Sequence, residues 1–126
     1  MSLKIHRTED APAPVGPYSQ AVEAGGFVFC SGQISIDPKT NEIFNGDVQR
    51  QAKIVIENII TVLKSENYQQ NNVVKTTIFL TRMSDFAKVN EVYASYFEKN
   101  FPARSTIGVA ELPKGVNVEI EVIAKR

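Results

Sequence analysis

The sequence is poor in the residues that nucleophilic catalysis and metal binding most often use. Its 126 residues contain one cysteine, Cys30, one histidine, His6, and no tryptophan. A single cysteine excludes an intrachain disulfide framework and a zinc site made of several cysteines. We expect His6 to face solvent on an edge strand, which leaves no histidine for a Ser-His-Asp or Cys-His site. Cys30, inside an apolar strand, is expected to be a small buried residue.

An excess charge and a long apolar run are also missing. The 14 lysines and arginines balance the 14 acidic residues, so a dominant basic footprint for nucleic acid is absent. No apolar run reaches the roughly 18–20 residues that cross a bilayer, and residues 1–10 lack the apolar core of a signal peptide. We therefore expect one cytoplasmic domain, without nucleic-acid or membrane partners and without a metal or cofactor.

Hydrophobic periodicity predicts three strands, a helix, a strand, a helix and two strands. The first helix begins at Asp47 as N-cap, ends near Ser65 and has an apolar stripe from Val48 to Leu63. Ser84 or Asp85 begins the second helix, whose predicted buried face is Phe86, Val89, Tyr93 and Phe97. The predicted strands are residues 3–7, 19–24, 27–31, 73–80, 103–111 and 116–124. This order favours an α+β fold with both helices on one face of a sheet. In so small a chain, the other face needs cover from another subunit.

Two segments of the chain are typical of a binding site. Residues 11–18 hold three prolines and a glycine, and such a stiff loop would fix the position of Tyr18. Ser31 and Gly32 end an apolar strand, where backbone N–H groups and a hydroxyl would face a ligand. A simple exit from the strand stays open as the alternative.

Three further side chains have chemistry that would suit a site. Arg104 follows a rigid proline, and a fixed guanidinium there would clamp a carboxylate with two hydrogen bonds. Glu119 would orient water or carry a proton, and the amide of Asn90 would donate a hydrogen bond. Each also has a structural interpretation: a surface pair with a glutamate for Arg104, the solvent side of a strand for Glu119, and an exposed helix position for Asn90.

Several short motifs occur in one order along nearly the whole chain. They are Gly16-Pro17-Tyr18-Ser19-Gln20, Ser31-Gly32-Gln33-Ile34, Asp85-Phe86-Ala87-Lys88-Val89-Asn90, Phe101-Pro102-Ala103-Arg104-Ser105 and Val118-Glu119-Ile120-Glu121. Together they closely resemble the RidA (YjgF) family, the reactive intermediate or imine deaminases. On this resemblance, residues 1–126 are a single RidA-like domain.

The resemblance implies a chorismate-mutase-like fold and a homotrimer. Three sheets would form a central barrel with the helices outside and the active sites in clefts between subunits. The implied reaction is hydrolysis of 2-iminobutanoate or 2-iminopropanoate, in equilibrium with their enamines, to 2-oxo acids and ammonia. Pyridoxal-phosphate-dependent dehydratases acting on threonine or serine would release these imines, and this chain would not itself carry that cofactor.

The resemblance also assigns roles to individual residues. Arg104 matches the carboxylate-binding arginine and Glu119 the water-orienting glutamate of the family. The resemblance also implies a catalytic role for Tyr18 and substrate-binding roles for Ser31, Gly32 and Asn90. Thr106 stands where many members have a cysteine, so thiol chemistry is not required, although its backbone N–H and hydroxyl would still contact substrate.

Two other functions and one geometric question stay open. The same fold would suit a regulatory module that binds 2-oxo acids or partner proteins, with purine regulation as one case, or an endoribonuclease and translation inhibitor. A tight hairpin at residues 113–115 would pair Glu119 near Val109, and Arg104 would then lie about 16 Å away along its strand. A bulge, a long reach or an approach across the trimer interface must then bring Arg104 and Glu119 to one substrate.

Overall fold

The computed structural model describes residues 3–126, which form a six-stranded sheet and two α-helices. In chain order the elements are β1 (Lys4–His6), β2 (Ala21–Ala24), β3 (Phe27–Gln33), α1 (Val48–Lys64), β4 (Val73–Leu80), α2 (Phe86–Tyr96), β5 (Ala103–Gly108) and β6 (Val118–Lys125). The predicted α+β class and order of elements are confirmed. The boundaries differ by a few residues, since β3 continues to Gln33, β5 ends at Gly108 and β6 begins at Val118.

The strands lie in the order β1-β2-β3-β6-β4-β5 across the sheet. Neighbouring strands are antiparallel except β4 and β5, which are parallel and joined through α2. A sharp turn between β2 and β3 uses Gly25 and Gly26 at φ +59° and +82°, a region that favours glycine. β6 follows the other strands in the chain and yet lies in the middle of the sheet.

Both helices cover the same face of the sheet. α1 packs on β3 and β6, and α2 packs on α1. The Asp47 carboxylate accepts a hydrogen bond from the Arg50 N–H at 3.0 Å, which confirms the predicted N-cap. The predicted apolar stripe of α1 is buried: Val48, Ala52, Val55, Ile56, Ile59 and Leu63. Asp85 is the N-cap residue of α2, but its side chain makes no capping hydrogen bond.

The opposite face of the sheet is uncovered within the chain, as the sequence predicted. Val118, Ile120 and Val122 of β6 point to the helices, so the residues between them point away. Ile5 is 65% exposed and Phe29 47% exposed on this face. Exposed apolar side chains that share one face are typical of a surface that binds another surface. Neither helix within residues 3–126 combines the length and apolarity of a membrane-crossing segment.

The expectation for His6 is wrong. His6 is 0% exposed, and its Nε2 lies 2.9 Å from Oε1 of Glu23 on β2. Its ring centroid lies 6.0 Å from that of Tyr68, in the connection from α1 to β4. β1 is an edge strand, as predicted, but alternation along it turns His6 to the helix face and Ile5 outward. Residues distant in sequence cover that face, which local periodicity does not reveal.

Candidate active site

A cavity of about 670 Å³ lies where the proline-rich loop meets the end of β3 and the start of β6. Its wall includes Tyr18, Ser31, Gly32 and Glu119, and we refer to these residues as the cavity cluster. They come from three separate stretches of the sequence. The fold thus brings together the part of the predicted site that the loop, β3 and β6 contribute.

A β-bulge shapes the wall at Ser31 and Gly32. Cys30 pairs with Val122 and Gln33 with Ile120, so Ser31 and Gly32 together stand opposite the single residue Glu121. Such bulges bend a strand and turn side chains in new directions. Ser31 anchors the loop, because its Oγ donates to the Ser19 carbonyl at 2.6 Å and its N–H donates to the Gln20 carbonyl at 2.9 Å.

Gly32 makes room for the carboxylate of Glu119. A Cβ atom at position 32 would overlap Oε2 of Glu119 and would lie 2.9 Å from its Cδ. Any side chain larger than that of glycine therefore displaces Glu119, whatever its polarity. The sequence predicted that Ser31 and Gly32 end a strand and face a ligand. The structure adds a steric role for Gly32, which leaves space for Glu119.

The carboxyl group of Glu119 is half-buried. Burial raises its pKa above the usual range for glutamate, and the neighbouring carboxylate of Glu121 raises it further. Among the ion pairs within residues 3–126, none includes Glu119 or Glu121. A raised pKa makes this carboxyl group a stronger base than an ordinary glutamate, and so better suited to accept a proton and return it.

The proline-rich loop is braced by a residue that sequence reasoning missed. Gln20 is buried, and its Nε2 donates to the carbonyls of Pro12 at 2.9 Å and Thr8 at 3.0 Å. Its Oε1 accepts from the Thr8 N–H at 2.8 Å. Tyr18, 50% exposed, accepts a long hydrogen bond of 3.4 Å from the Val15 N–H. No pattern in the sequence distinguishes Gln20, whose amide is buried and hydrogen-bonded, from a glutamine exposed to solvent.

The remaining predicted residues, Asn90, Arg104 and Thr106, form a second group, here called the arginine cluster. The guanidinium of Arg104 lies over two rings of α2, 4.9 Å from the centroid of Tyr93 and 5.5 Å from that of Phe86. These are cation–π distances. Within residues 3–126 no carboxylate lies within 4.0 Å of Arg104, so the alternative of a surface pair with a glutamate is wrong.

The arginine cluster is held by buried contacts. The Tyr93 hydroxyl lies 2.9 Å from Oγ1 of Thr76, the buried residue that pairs with Arg104 across β4 and β5. Asn90 is half-buried rather than exposed, and its position on α2 is on the same side as Phe86 and Tyr93. Thr106 follows Arg104 by two residues and so shares its face of β5. Phe86 and Tyr93 were predicted only as core residues of α2.

Residues 113–115 do not form a hairpin between neighbouring strands. β4 lies between β5 and β6, so the conditional pairing of Glu119 with Val109 does not occur. The segment is instead a short 3-10 turn that begins at Pro113. The sequence could not show this arrangement because the parallel pairing of β4 with β5 depends on the path of α2.

The two clusters lie on opposite faces of the sheet. Arg104 pairs with Thr76, which points to the helices, whereas Glu119 pairs with Phe79, which points away from them. An offset of three residues and two strand spacings separates their Cα atoms by about 14 Å. One chain therefore does not place the guanidinium of Arg104 beside the carboxylate of Glu119.

Cys30 has the structural role that the sequence predicted. Its side chain is buried, and burial raises the pKa of the thiol to about 12, which suppresses the reactive thiolate. Within the described part of the chain, no three His, Cys, Asp or Glu side chains are placed to hold a metal ion.

Known proteins match this chain over nearly its full length. Residues 8–126 match the family model described as Endoribonuclease L-PSP. A mouse protein named 2-iminobutanoate/2-iminopropanoate deaminase is 46% identical over 121 residues, covering 96% of this chain and 90% of the mouse protein. The chain belongs to the RidA (YjgF) family. A RutC family protein from Pyrococcus horikoshii is 55% identical over 117 residues, which are 93% of each chain.

A solved RidA-family structure confirms the fold. The structure of a protein of unknown function of the conserved Rid family from Yersinia pestis has a TM-score of 0.97 and 44% identity. The match covers 99% of this chain and 100% of the Yersinia chain. The relatives of the RidA family carry different names, so membership establishes the family and fold, and the reaction must be argued from the residues.

Proposed function

We propose that this RidA-family protein hydrolyses 2-imino acids, such as 2-iminobutanoate and 2-iminopropanoate, to 2-oxo acids and ammonia. The observation that carries the proposal is the guanidinium of Arg104, which rests on two aromatic rings and has no carboxylate partner within residues 3–126. A planar guanidinium binds a carboxylate through two parallel hydrogen bonds. The name of the mouse relative supports the same reaction.

Glu119 supplies the proton transfers of the proposed reaction. Its carboxylate accepts a proton from water as the water oxygen bonds to the imine carbon, which gives a tetrahedral carbinolamine. Glu119 then returns the proton to the nitrogen. The carbon–nitrogen bond breaks as the carbinolamine hydroxyl passes its proton to Glu119, which gives the 2-oxo acid. The released ammonia takes that proton from Glu119 and leaves as ammonium. General acid–base catalysis of this kind accelerates a reaction by about 10²–10⁴-fold. An acceleration of this size is sufficient for a protonated imine, because such an imine is already reactive. No step requires a metal or cofactor.

The other predicted residues surround these two groups. Tyr18 lies in the cavity wall with Glu119, and the bulge at Ser31 and Gly32 forms the adjacent wall. In the proposed complex the Tyr18 hydroxyl and the backbone at the bulge contact the substrate beside its reacting carbon. Asn90 lies on the side of α2 that carries the two rings under Arg104, and Thr106 shares its face of β5 with Arg104. We assign both residues to the carboxylate end of the substrate.

We further propose that a second copy of the chain completes each site in a homotrimer. Arg104 and Glu119 lie on opposite faces of the sheet within one chain, and β5, which carries Arg104, is an edge strand. The uncovered face exposes Ile5, Phe29 and Ile107. Association that buries this face removes apolar surface from water, and a closed ring repeats one contact around its axis.

The proposed substrates are short-lived products of other enzymes. Pyridoxal-phosphate-dependent threonine and serine dehydratases release enamines that become 2-imino acids, so we expect this protein to act beside them in the cytoplasm. The functional link is chemical, because the imine diffuses from one enzyme to the other. A small 2-imino or 2-oxo acid is thus the expected ligand.

A coupled assay tests the reaction. Threonine dehydratase and threonine generate 2-iminobutanoate, and the appearance of 2-oxobutanoate is followed with the wild type and with variants. We expect acceleration by the wild type and a loss of about 10²-fold or more in that acceleration in Arg104→Ala and in Glu119→Gln. Arg50→Ala is the matched control, since Arg50 also stacks on a ring, 4.8 Å over Phe44, outside both clusters.

Equal rates with wild type, variants and no protein would reject the reaction, and would favour a binding module instead. The trimer is tested separately by light scattering. We expect three times the chain mass of 14.0 kDa. A particle with the mass of one chain would contradict a site shared between copies.

A further inference from the structure

The cavity holds a second carboxylate that the proposed reaction does not use. Glu121 follows Glu119 by two residues on β6, so both side chains emerge on one face with Cα atoms about 7 Å apart. Glu119, Glu121 and Lys114 are the charged residues in the cavity wall. The wall therefore has one more negative than positive formal charge.

The β-bulge lies opposite Glu121 in the sheet and against the carboxylate of Glu119. Ser31 and Gly32 together stand opposite Glu121 in the register of β3 and β6. Gly32 also approaches Glu119 so closely that a Cβ would overlap its Oε2. The absent side chain at position 32 leaves nothing bulky between this backbone and the Glu119 carboxylate.

The surroundings do not neutralise this pair within residues 3–126. The groups that face it from the packed elements are Tyr18 of the loop, Ser31 of β3, Lys75 and Thr77 of β4, and Lys114 before β6. Lys75 is turned elsewhere, since its Nζ donates to the Thr76 carbonyl at 2.9 Å and to the Ser105 Oγ at 3.3 Å. None of the three ion pairs in the described chain includes Glu119 or Glu121.

We propose that Glu121 is a positioning residue, whose charge acts on Glu119 and makes the cavity prefer a ligand with a positively charged nitrogen. For its substrate, a protonated 2-imino acid, the proposal rests on the proposed function; the effect of one carboxylate on the other does not. Two nearby carboxylates disfavour each other's ionisation, which agrees with the raised pKa of Glu119.

The preference separates substrate from product. A protonated imine nitrogen carries a positive charge toward the two carboxylates, and its binding relieves their repulsion. The 2-oxo acid has an uncharged carbonyl oxygen at the same position, and that oxygen faces two acceptors without a proton to donate. Glu121 thus strengthens the binding of the protonated substrate and weakens the binding of the product.

A titration of the intact protein tests the charge effect without any substrate. The side-chain carboxyl ¹³C signals of glutamate are followed against pH by NMR, and Glu119→Gln identifies the Glu119 signal. We expect the midpoint of Glu119 to move to lower pH in Glu121→Gln and to stay in place in Glu98→Gln, which removes an exposed charge outside the cavity. Glu121→Asp keeps the charge and should keep the midpoint raised.

An unchanged Glu119 midpoint in folded Glu121→Gln would overturn the proposal. Glu121→Thr, with a residue that favours strands, provides the same test if Glu121→Gln does not fold. A shift of equal size in Glu98→Gln would also overturn it, because the effect would then come from net charge alone.

Kinetics test the preference for a cationic ligand. In Glu121→Gln the acid limb of kcat/KM moves to lower pH, and inhibition by 2-oxobutanoate becomes about three- to tenfold stronger, whereas Glu98→Gln changes neither. Inhibition unchanged by Glu121→Gln would overturn this part of the proposal. If the protein hydrolyses the imine but the Glu119 midpoint does not shift in Glu121→Gln, only the role of Glu121 is contradicted. If the midpoint shifts but the protein does not hydrolyse the imine, only the proposed function is contradicted.

Discussion

The cavity cluster and the arginine cluster differ in how the fold holds a charge. Glu119 lies against bare backbone at Gly32, with a second carboxylate beside it and no cation within 4.0 Å in residues 3–126. Arg104 lies on two aromatic rings, with no anion within the same distance in the described chain. Each cluster lacks the opposite charge that the other one has. The contrast teaches that the two clusters carry charges of opposite sign, and that neither cluster contains both signs.

The largest expected effect is the recovery of activity when the intact arginine cluster and the intact cavity cluster are on different chains of one trimer. Arg104→Ala and Glu119→Gln should each be inactive, whereas trimers assembled from an equal mixture should recover about a quarter of wild-type activity. In the proposed ring, a quarter of the sites combine an intact arginine cluster with an intact cavity cluster. The measurement is the coupled assay after co-expression of the two variants with different tags.

A mixture of Arg104→Ala with Arg104→Ala/Glu119→Gln is the control, because no combination of these chains contains Arg104. If the complementary mixture stays inactive although mixed trimers are isolated, the two clusters do not form one site between copies.

The next effect comes from filling the space at Gly32. Gly32→Ala should displace the Glu119 carboxylate and lower kcat about 10²-fold, the lower limit for losing a placed proton-transfer group. The overlapped atoms are the end of a flexible, half-buried side chain that lines a cavity, so the free energy of unfolding should fall by only about 1 kcal/mol or less. Kinetics and chemical denaturation measure the two effects.

The double variant Gly32→Ala/Glu119→Asp separates the two effects of the Cβ. The shorter carboxylate relieves the overlap, so stability should return while kcat stays low. Wild-type kcat in the single variant would show that the close approach of Gly32 does not position Glu119.

A smaller effect is expected from the rings under Arg104. Phe86→Leu removes a cation–π contact worth about 0.5–1 kcal/mol and should raise KM about two- to fivefold with little change in kcat. Tyr93→Phe keeps its ring and should leave KM near the wild-type value, but it loses the hydrogen bond to Thr76 and about 0.5–1.5 kcal/mol of stability. A fall in kcat at constant KM would contradict a role in binding the carboxylate.

The smallest effect is expected at Thr106. A cysteine at position 106 keeps the backbone N–H and removes at most one neutral hydrogen bond of the hydroxyl, so Thr106→Cys should keep kcat/KM within about tenfold of wild type. Thr106→Ser retains the hydroxyl and should remain closer to wild type. A larger loss in Thr106→Cys than in Arg104→Ala would reverse the assigned importance of the two residues.

Local patterns predicted the elements whose surroundings are local. The apolar stripe and the Asp47 cap specify α1, and the β-branched run specifies β4. His6 was predicted wrongly because the groups that bury it, Glu23 and Tyr68, are 17 and 62 positions away along the chain. Alternation along a strand of three residues identifies two faces without saying which of them is covered.

The candidate site shows the same limit. Residue chemistry and the family resemblance selected both clusters, but not their separation onto two faces, which depends on the insertion of β6 between β3 and β4. Helical spacing placed Phe86 and Tyr93 on one side of α2. It did not show that β5 would lay Arg104 across those rings, because the parallel pairing with β4 is long-range.

The central place of β6 has a consequence for how the chain folds. β3 and β4 remain without their shared neighbour until β6 has been synthesised, so two strand edges stay open on the ribosome. Closing the sheet joins residues about ninety positions apart, and such long-range closure slows folding. The cavity wall forms in that same late step, so a nascent chain acquires its acidic cavity only when the sheet closes.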